Sequence, residues 1–169
     1  MKNSFWIAYV LLFIAQLLLG NYFVFTPWMM ATLLPAMVLC IPLNIGAIGA
    51  MLIAFLTGLG VDLLSEGIIG LNALALVPVA FARKQIIGRV FGPDLITRNK
   101  AFTIHRNGLP AVLTALSLGL AIFLVIYIWA DSAGTRSFGF NAGRFGASFA
   151  VSLFFCVLAV RALAPSDSR

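Results

Sequence analysis

Five acids, one histidine and two cysteines are the whole supply of groups for acid–base, nucleophilic or metal chemistry in this 169-residue chain. Asp62 lies inside an apolar run with Glu66 four residues on, and Asp131 follows a second apolar run. Two carboxylates at one membrane face could hydrolyse a peptide bond as an aspartyl pair; one embedded carboxylate could relay a proton or hold a ligand. A charged group in an apolar helix turns toward protein because exposure to lipid costs several kcal/mol, so Asp62 is a functional candidate by position. Three readings are open for it: anchoring of the turn that follows, contact with a partner or ligand, and ion transport. His105 stands in a basic stretch with no nucleophile or carboxylate next to it in sequence, and reads as a solvated loop residue. Cys40 and Cys156 lie in apolar runs without a second Cys or a His at metal spacing, and read as packing residues. The chain has no G-x-x-x-x-G-K, no metal-ligand spacing and no Ser-His-Asp order. The expectation is therefore no catalytic residue, no metal and no cofactor.

The aspartyl pair invites one comparison. Small lipoprotein signal peptidases are similar in length and use such a pair, and Phe140-Asn141-Ala142-Gly143 echoes an asparagine motif of that family. No aspartate follows the motif here, and Asp131 precedes it, so the resemblance stops there.

The elements that would position these groups are set by composition. Hydrophobic residues make up 62% and charged residues only 9%, against roughly a quarter charged in a soluble domain; mean hydropathy is +1.08. Disorder, a disulfide-stapled secreted domain and a nucleic-acid reader are excluded. The expected fold class is all-α: a polytopic membrane protein with about six transmembrane helices in one bundle and a single domain. The expected spans are 5–25, 28–43, 45–64, 68–82, 107–130 and 142–162, with a basic loop over 83–106. Gly20-Asn21, Pro27, Pro42-Leu43-Asn44 and Ser65-Glu66-Gly67 supply the punctuation. The run from Trp28 to Ile41 is roughly 21 Å long as a helix, shorter than a hydrocarbon core, so it either crosses with little tilt or re-enters. The first run imitates a signal peptide but lacks a small-x-small cleavage site, so it reads as a retained helix.

Six of the eleven basic residues, Arg83, Lys84, Arg89, Arg98, Lys100 and Arg106, fall in the loop over 83–106 against the single acid Asp94. The positive-inside rule makes that loop cytoplasmic and, with an even number of crossings before it, places both ends of the chain on the same side. A membrane with both ends of the chain on its cytoplasmic side is the expected location. Arg83, Lys84, Arg89, Arg98 and Lys100 are candidate contacts to anionic lipid, each contributing about 1 kcal/mol near an anionic leaflet. Ile86, Ile87, Val90 and Phe91 lie beside them as in an interfacial helix. Tyr22, Trp28, Tyr127 and Trp129 mark the outer boundary and Trp6 the inner one.

Gly46, Ala50, Ala54, Gly58 and Asp62 recur every fourth residue and form one small-residue face on the third span. Helices in lipid associate by close van der Waals contact, which small residues permit. This face, with Asn72 at the start of the fourth span, is the candidate for partner docking or central packing. Ala111, Ala115 and Gly119 repeat the pattern on the fifth span, as do Ala142, Gly146 and Ala150 on the sixth.

The stretch from Phe55 to Leu76 resembles the signature of the rod shape-determining protein MreD family, G-x-x-x-D-x-x-S followed by a turn and G-x-x-A-L-A. Gly58, Asp62, Ser65, Gly70, Ala73, Leu74 and Ala75 match; Glu66 stands where a glycine is frequent. The resemblance implies a non-catalytic membrane scaffold of the bacterial cell-elongation and peptidoglycan-synthesis machinery, located in the bacterial cytoplasmic (inner) membrane. The implied partners are an MreC-like single-span protein, an MreB-like filament, a RodA-type glycosyltransferase and a class B transpeptidase. It also implies a fold similar to the substrate-binding subunits of energy-coupling-factor vitamin transporters, which is the alternative function. Those subunits often carry A-x-x-x-A in the first helix; here Leu12 follows Ala8 and Leu19 follows Ala15.

Overall fold

The computed structural model describes residues 2–22, 29–66, 68–92, 108–132 and 136–163. Among them the chain is all-helical: α1 (Lys2–Tyr22), α2 (Leu34–Cys40), α3 (Ala47–Val61) continued by a π-helical turn (Asp62–Glu66), α4 (Leu71–Phe91), α5 (Leu109–Ser132) and α6 (Phe138–Leu163). Helices are what an apolar chain can form in lipid, since each pairs its own backbone groups. Four are long and apolar enough to cross a membrane: Phe5–Tyr22, Ala47–Ser65, Leu109–Ser132 and Phe138–Leu163. Large apolar side chains stand exposed along them, among them Leu11 and Ile14 on α1, Ile48 and Leu56 on α3, Trp129 on α5 and Phe154 on α6. Such a surface is stable only in lipid, and the chain is a multi-pass membrane protein.

Specific contacts give the relative directions. Tyr9 Oη lies 3.0 Å from Thr57 Oγ1, Phe13 packs on Gly60, and Gly20 packs on Ser65, so α1 and α3 run parallel. Gly58 of α3 lies against Asn72 and Ala73 of α4, and Ile69-Gly70 turn the chain back between them, so these two helices form an antiparallel hairpin. Gly70 holds φ +97°, a left-handed conformation that glycine adopts without a Cβ penalty. Gly119 of α5 meets Leu39 of α2 and Val79 of α4. The element at the centre is α2, whose seven residues are all buried, ringed by α4, α5 and α6.

Several expected boundaries shift. The described part of span 28–43 is helical only over Leu34–Cys40, opening with Pro35 in its first turn and closing before Pro42; residues 29–33 are not helical. The third span, expected at the centre, buries one face and exposes Ile48, Leu52, Phe55 and Leu56. The fourth does not stop at residue 82. Ile86 and Ile87, three and four residues after Arg83, keep a buried face, so the helix runs to Phe91 and ends at Gly92. The basic stretch therefore begins inside α4, and the expected interfacial helix is the last two turns of that helix. Arg98, Lys100, His105 and Arg106 lie outside the described residues, as does Trp28.

A Cβ on Gly58 would fall 2.6 Å from the Ala73 backbone, whereas one on Gly146 meets nothing within 4 Å. Gly58→Ala should destabilise the fold by about 1–3 kcal/mol through overpacking, and Gly146→Ala should leave it unchanged. Unfolding in mixed micelles measures both; equal stability of the two variants would contradict the close helix crossing.

Candidate functional site

Asp62 is fully buried at the junction of α3 and the π turn. Its own N–H bonds back to Gly58 and Leu59 carbonyls, which leaves the side chain directed at the start of α4. Oδ2 accepts from Gly70 N at 2.9 Å and Ala73 N at 3.3 Å, and Oδ1 from Asn72 N at 3.0 Å and Asn72 Nδ2 at 2.9 Å. The first N–H groups of a helix have no partner within it and form its positive end; one carboxylate from the neighbouring helix here satisfies three of them. Two oxygens holding four donors have no lone pair left for a metal or a transferable proton. Of the three sequence readings, the geometry is that of turn anchoring. Asn72 is buried with its Nδ2 committed to Asp62.

The second polar system is one the sequence reading missed. Residues 29–33 are not helical, though Leu33 O accepts the first bond of α2 from Met37 N at 3.1 Å, and side chains from two flanking helices pair part of the rest. Met30 N donates to Ser148 Oγ at 3.0 Å and Thr32 N to Ser152 Oγ at 3.1 Å, while Ser152 Oγ donates to Met30 O at 3.0 Å. Cys156 Sγ reaches Thr32 O at 3.5 Å, and Gln16 Oε1 of α1 accepts from Leu33 N at 2.7 Å. Ser148, Ser152 and Cys156 are spaced four apart on α6, and their bonds run in register with residues 30–32, so the segment lies alongside α6 in the same direction. The available signal was this polar ladder, together with the lone Gln16 in an apolar helix.

At the Asp62 end of the bundle, Asp131 of α5 pairs with Arg144 of α6. Ser132 Oγ lies 2.6 Å from Ile128 O and 2.9 Å from Asn141 Oδ1, and the Arg136 guanidinium stacks 5.2 Å from the Phe140 ring centre. The two carboxylates considered as an aspartyl pair thus belong to separate networks. No group of three His, Cys, Asp or Glu side chains could hold a metal among the described residues.

Of the small-residue face on α3, Ala50, Ala54 and Gly58 are buried, but Gly46 is exposed at the helix start, with nothing within 4 Å of a Cβ there. The α5 face packs inward at Ala115 and Gly119. The α6 face does the opposite: Ala142, Gly146 and Ala150 are exposed, because Ser148, Ser152 and Cys156 take the inward side. Among the basic candidates, Arg89 is exposed and Lys84 half-buried, but Arg83 is only 1% exposed and donates through Nη2 to Pro42 O at 3.2 Å. It is not a surface lipid contact, since its position on α4 is the face of Ile86 and Ile87. No protein-family model matches the chain, and neither a curated protein nor a solved structure matches it.

Removing the Asp62 carboxylate strands several buried N–H groups at once. Asp62→Ala should cost upwards of about 2 kcal/mol, more than Asp131→Ala at the partly exposed ion pair. Combining it with Asn72→Ala should add less than the sum, because the two side chains share a bond. Ser152→Ala should cost about 1–3 kcal/mol by orphaning Thr32 N and Met30 O, against no change for Ser117→Ala. Unfolding of the purified chain tests both; a harmless Ser152→Ala would mean the segment does not lean on α6.

Proposed function

We propose that the chain is a non-catalytic scaffold that crosses a bacterial cytoplasmic membrane six times, with both ends in the cytoplasm, and holds partner membrane helices in the cell-elongation machinery. Six crossings are supported by direction. With α1 and α3 parallel, the chain between them must return across the bundle, and the extended residues 29–33 with α2 supply that passage alongside α6. Non-helical backbone at membrane depth is tolerated where protein buries it, which is its situation here. Orientation is supported by Lys84 and Arg89 at the far end of α4 from Asp62, together with the basic residues that follow.

The observation that carries a docking role is on α6. Gly139, Ala142, Gly143, Gly146 and Ala150 are all exposed along it, a surface against which another helix could approach closely, while the corresponding faces of α3 and α5 are used for internal packing. The resemblance over Phe55 to Leu76 points to an MreC-like single-span protein as the first partner, with MreB-like, RodA-type and class B transpeptidase components behind it. A vitamin-binding subunit would instead need free polar groups converging at the Asp62 end. There Asn72 Nδ2 is given to Asp62, Asp131 is paired with Arg144 and Arg136 is stacked on Phe140, which leaves Asn72 Oδ1 as a buried acceptor without a partner.

A mild-detergent pull-down of the tagged chain, with mass spectrometry, should recover a single-span protein with an extracytoplasmic domain and cell-wall synthases. Gly146→Leu should lose the single-span partner at unchanged membrane insertion. Recovery of a multi-span coupling subunit with two ATPases would replace the scaffold reading by the transporter one, and full recovery with Gly146→Leu would remove α6 as the docking face.

A further inference from the structure

Among the described side chains Arg83 is a buried charge that has no opposite charge and whose donors are largely unmet. Asp62 is saturated by α4 and Asp131 is paired with Arg144. A guanidinium offers five N–H donors. Here Nη2 reaches Pro42 O at 3.2 Å, an acceptor that already takes Ile45 N at 3.1 Å, while Nε and Nη1 are buried with no partner. Leaving a charge and two donors unfilled in a dry interior is costly unless a further group completes the site.

The surroundings point to what that group is. Pro42 opens the turn that delivers the chain to Gly46, the residue before α3, and that helix start has neither a side-chain cap nor an acid in its first turn. Its first N–H groups carry partial positive charge. Lys84 follows Arg83 directly, and Arg89 is exposed further along the same helix. Those two side chains give the end of α4 a diffuse positive charge, separate from the buried Arg83 guanidinium. A guanidinium matches the oxygens of a phosphate through paired N–H bonds better than it matches any neutral acceptor.

We infer that Arg83 and the turn over 42–46 form a binding site for a single phosphate-bearing anion, distinct from diffuse attraction of the basic stretch to the leaflet. The site is separate from the proposed scaffold role and depends only on the chain being in a membrane, so loss of that role would leave it standing. Nε and Nη1 are covered by the protein's own atoms, and occupancy therefore requires the turn to shift locally.

The test is thermal unfolding of the full chain in neutral detergent with added phosphatidylglycerol, phosphatidylcholine or inorganic phosphate. Phosphatidylglycerol should raise the midpoint where phosphatidylcholine does not. A rise with inorganic phosphate as well assigns the site to a free anion, and a rise with phosphatidylglycerol alone assigns it to a lipid headgroup. Arg83→Gln should abolish the selectivity, and Arg83→Lys should weaken apparent binding roughly tenfold, since a point charge replaces the planar fork. Lys84→Gln/Arg89→Gln should keep it. Should Arg83→Gln fail to fold, native mass spectrometry decides: wild type and the Lys84/Arg89 double variant should both retain phosphatidylglycerol through detergent exchange. Equal shifts with both lipids, a full response in Arg83→Gln, or loss of the retained lipid in the double variant would overturn the inference.

Discussion

Five residues of non-helical backbone in the middle of a lipid-facing bundle set the terms for the rest of this protein. In water their N–H and C=O groups would be solvated; between helices they need partners or cost several kcal/mol each. Gln16, Ser148 and Ser152 supply those partners, and Cys156 adds a weaker one. Because the donors and acceptors sit on α1 and α6, the segment ties the first and last helices together through their common neighbour. The chain can then enter α2 at Leu34 with the N–H groups of Met30, Thr32 and Leu33 paired and bury every residue of that helix against α4, α5 and α6.

The second fixed point works the same way with a charge. A π turn carries the end of α3 into a short reversal, and the Asp62 carboxylate takes up the amides that the start of α4 cannot pair internally. That bond network requires the two helices to be close, and closeness is what Gly58 allows, with the Ala73 backbone lying where its side chain would be. Gly58 and Asp62 therefore serve one junction from two sides: one removes bulk and the other supplies acceptors. A residue type that in isolation suggests proton transfer is here consumed by geometry.

How much of this was legible depends on what distinguishes inside from outside. The long apolar runs of α1, α3, α5 and α6 are plain in composition and the turn at Pro42 in punctuation, whereas the turn expected at Ser65-Glu66-Gly67 falls at Ile69-Gly70 because helix continues as a π turn to Glu66. The packing faces are not, because lipid is as apolar as a protein core and the four-residue repeat of small side chains looks the same on either side. Ala115 and Gly119 turn inward while Ala142, Gly146 and Ala150 turn outward, and only the polar ladder at Ser148 and Ser152 tells the two apart. Arg83 misled for a related reason. A basic residue after an apolar run reads as the membrane edge, but Ile86 and Ile87 beyond it show that the buried face continues for another turn. The broken second passage was signalled by its length and by the ladder of Ser148 and Ser152 with Gln16, since nothing in Met29 to Leu33 opposes a helix locally; tertiary bonds from α1 and α6 decide it.

The two ends of the bundle differ in how their charges are resolved, and that difference bears on how such a protein is held in a membrane. At the Asp62 end each described charge meets a partner within the chain: Asp62 the α4 amides, Asp131 the Arg144 guanidinium, Arg136 an aromatic face. At the other end Arg83 has a single shared carbonyl, and Lys84 and Arg89 follow without an acid between them. Under the proposed orientation the end with fewer internal partners among the described side chains faces the anionic leaflet, so internal pairing contributes to that placement alongside the number of basic residues. The same Pro42 carbonyl that Arg83 shares begins the turn into α3, so the positive corner is built into the packed bundle and does not depend on a free loop.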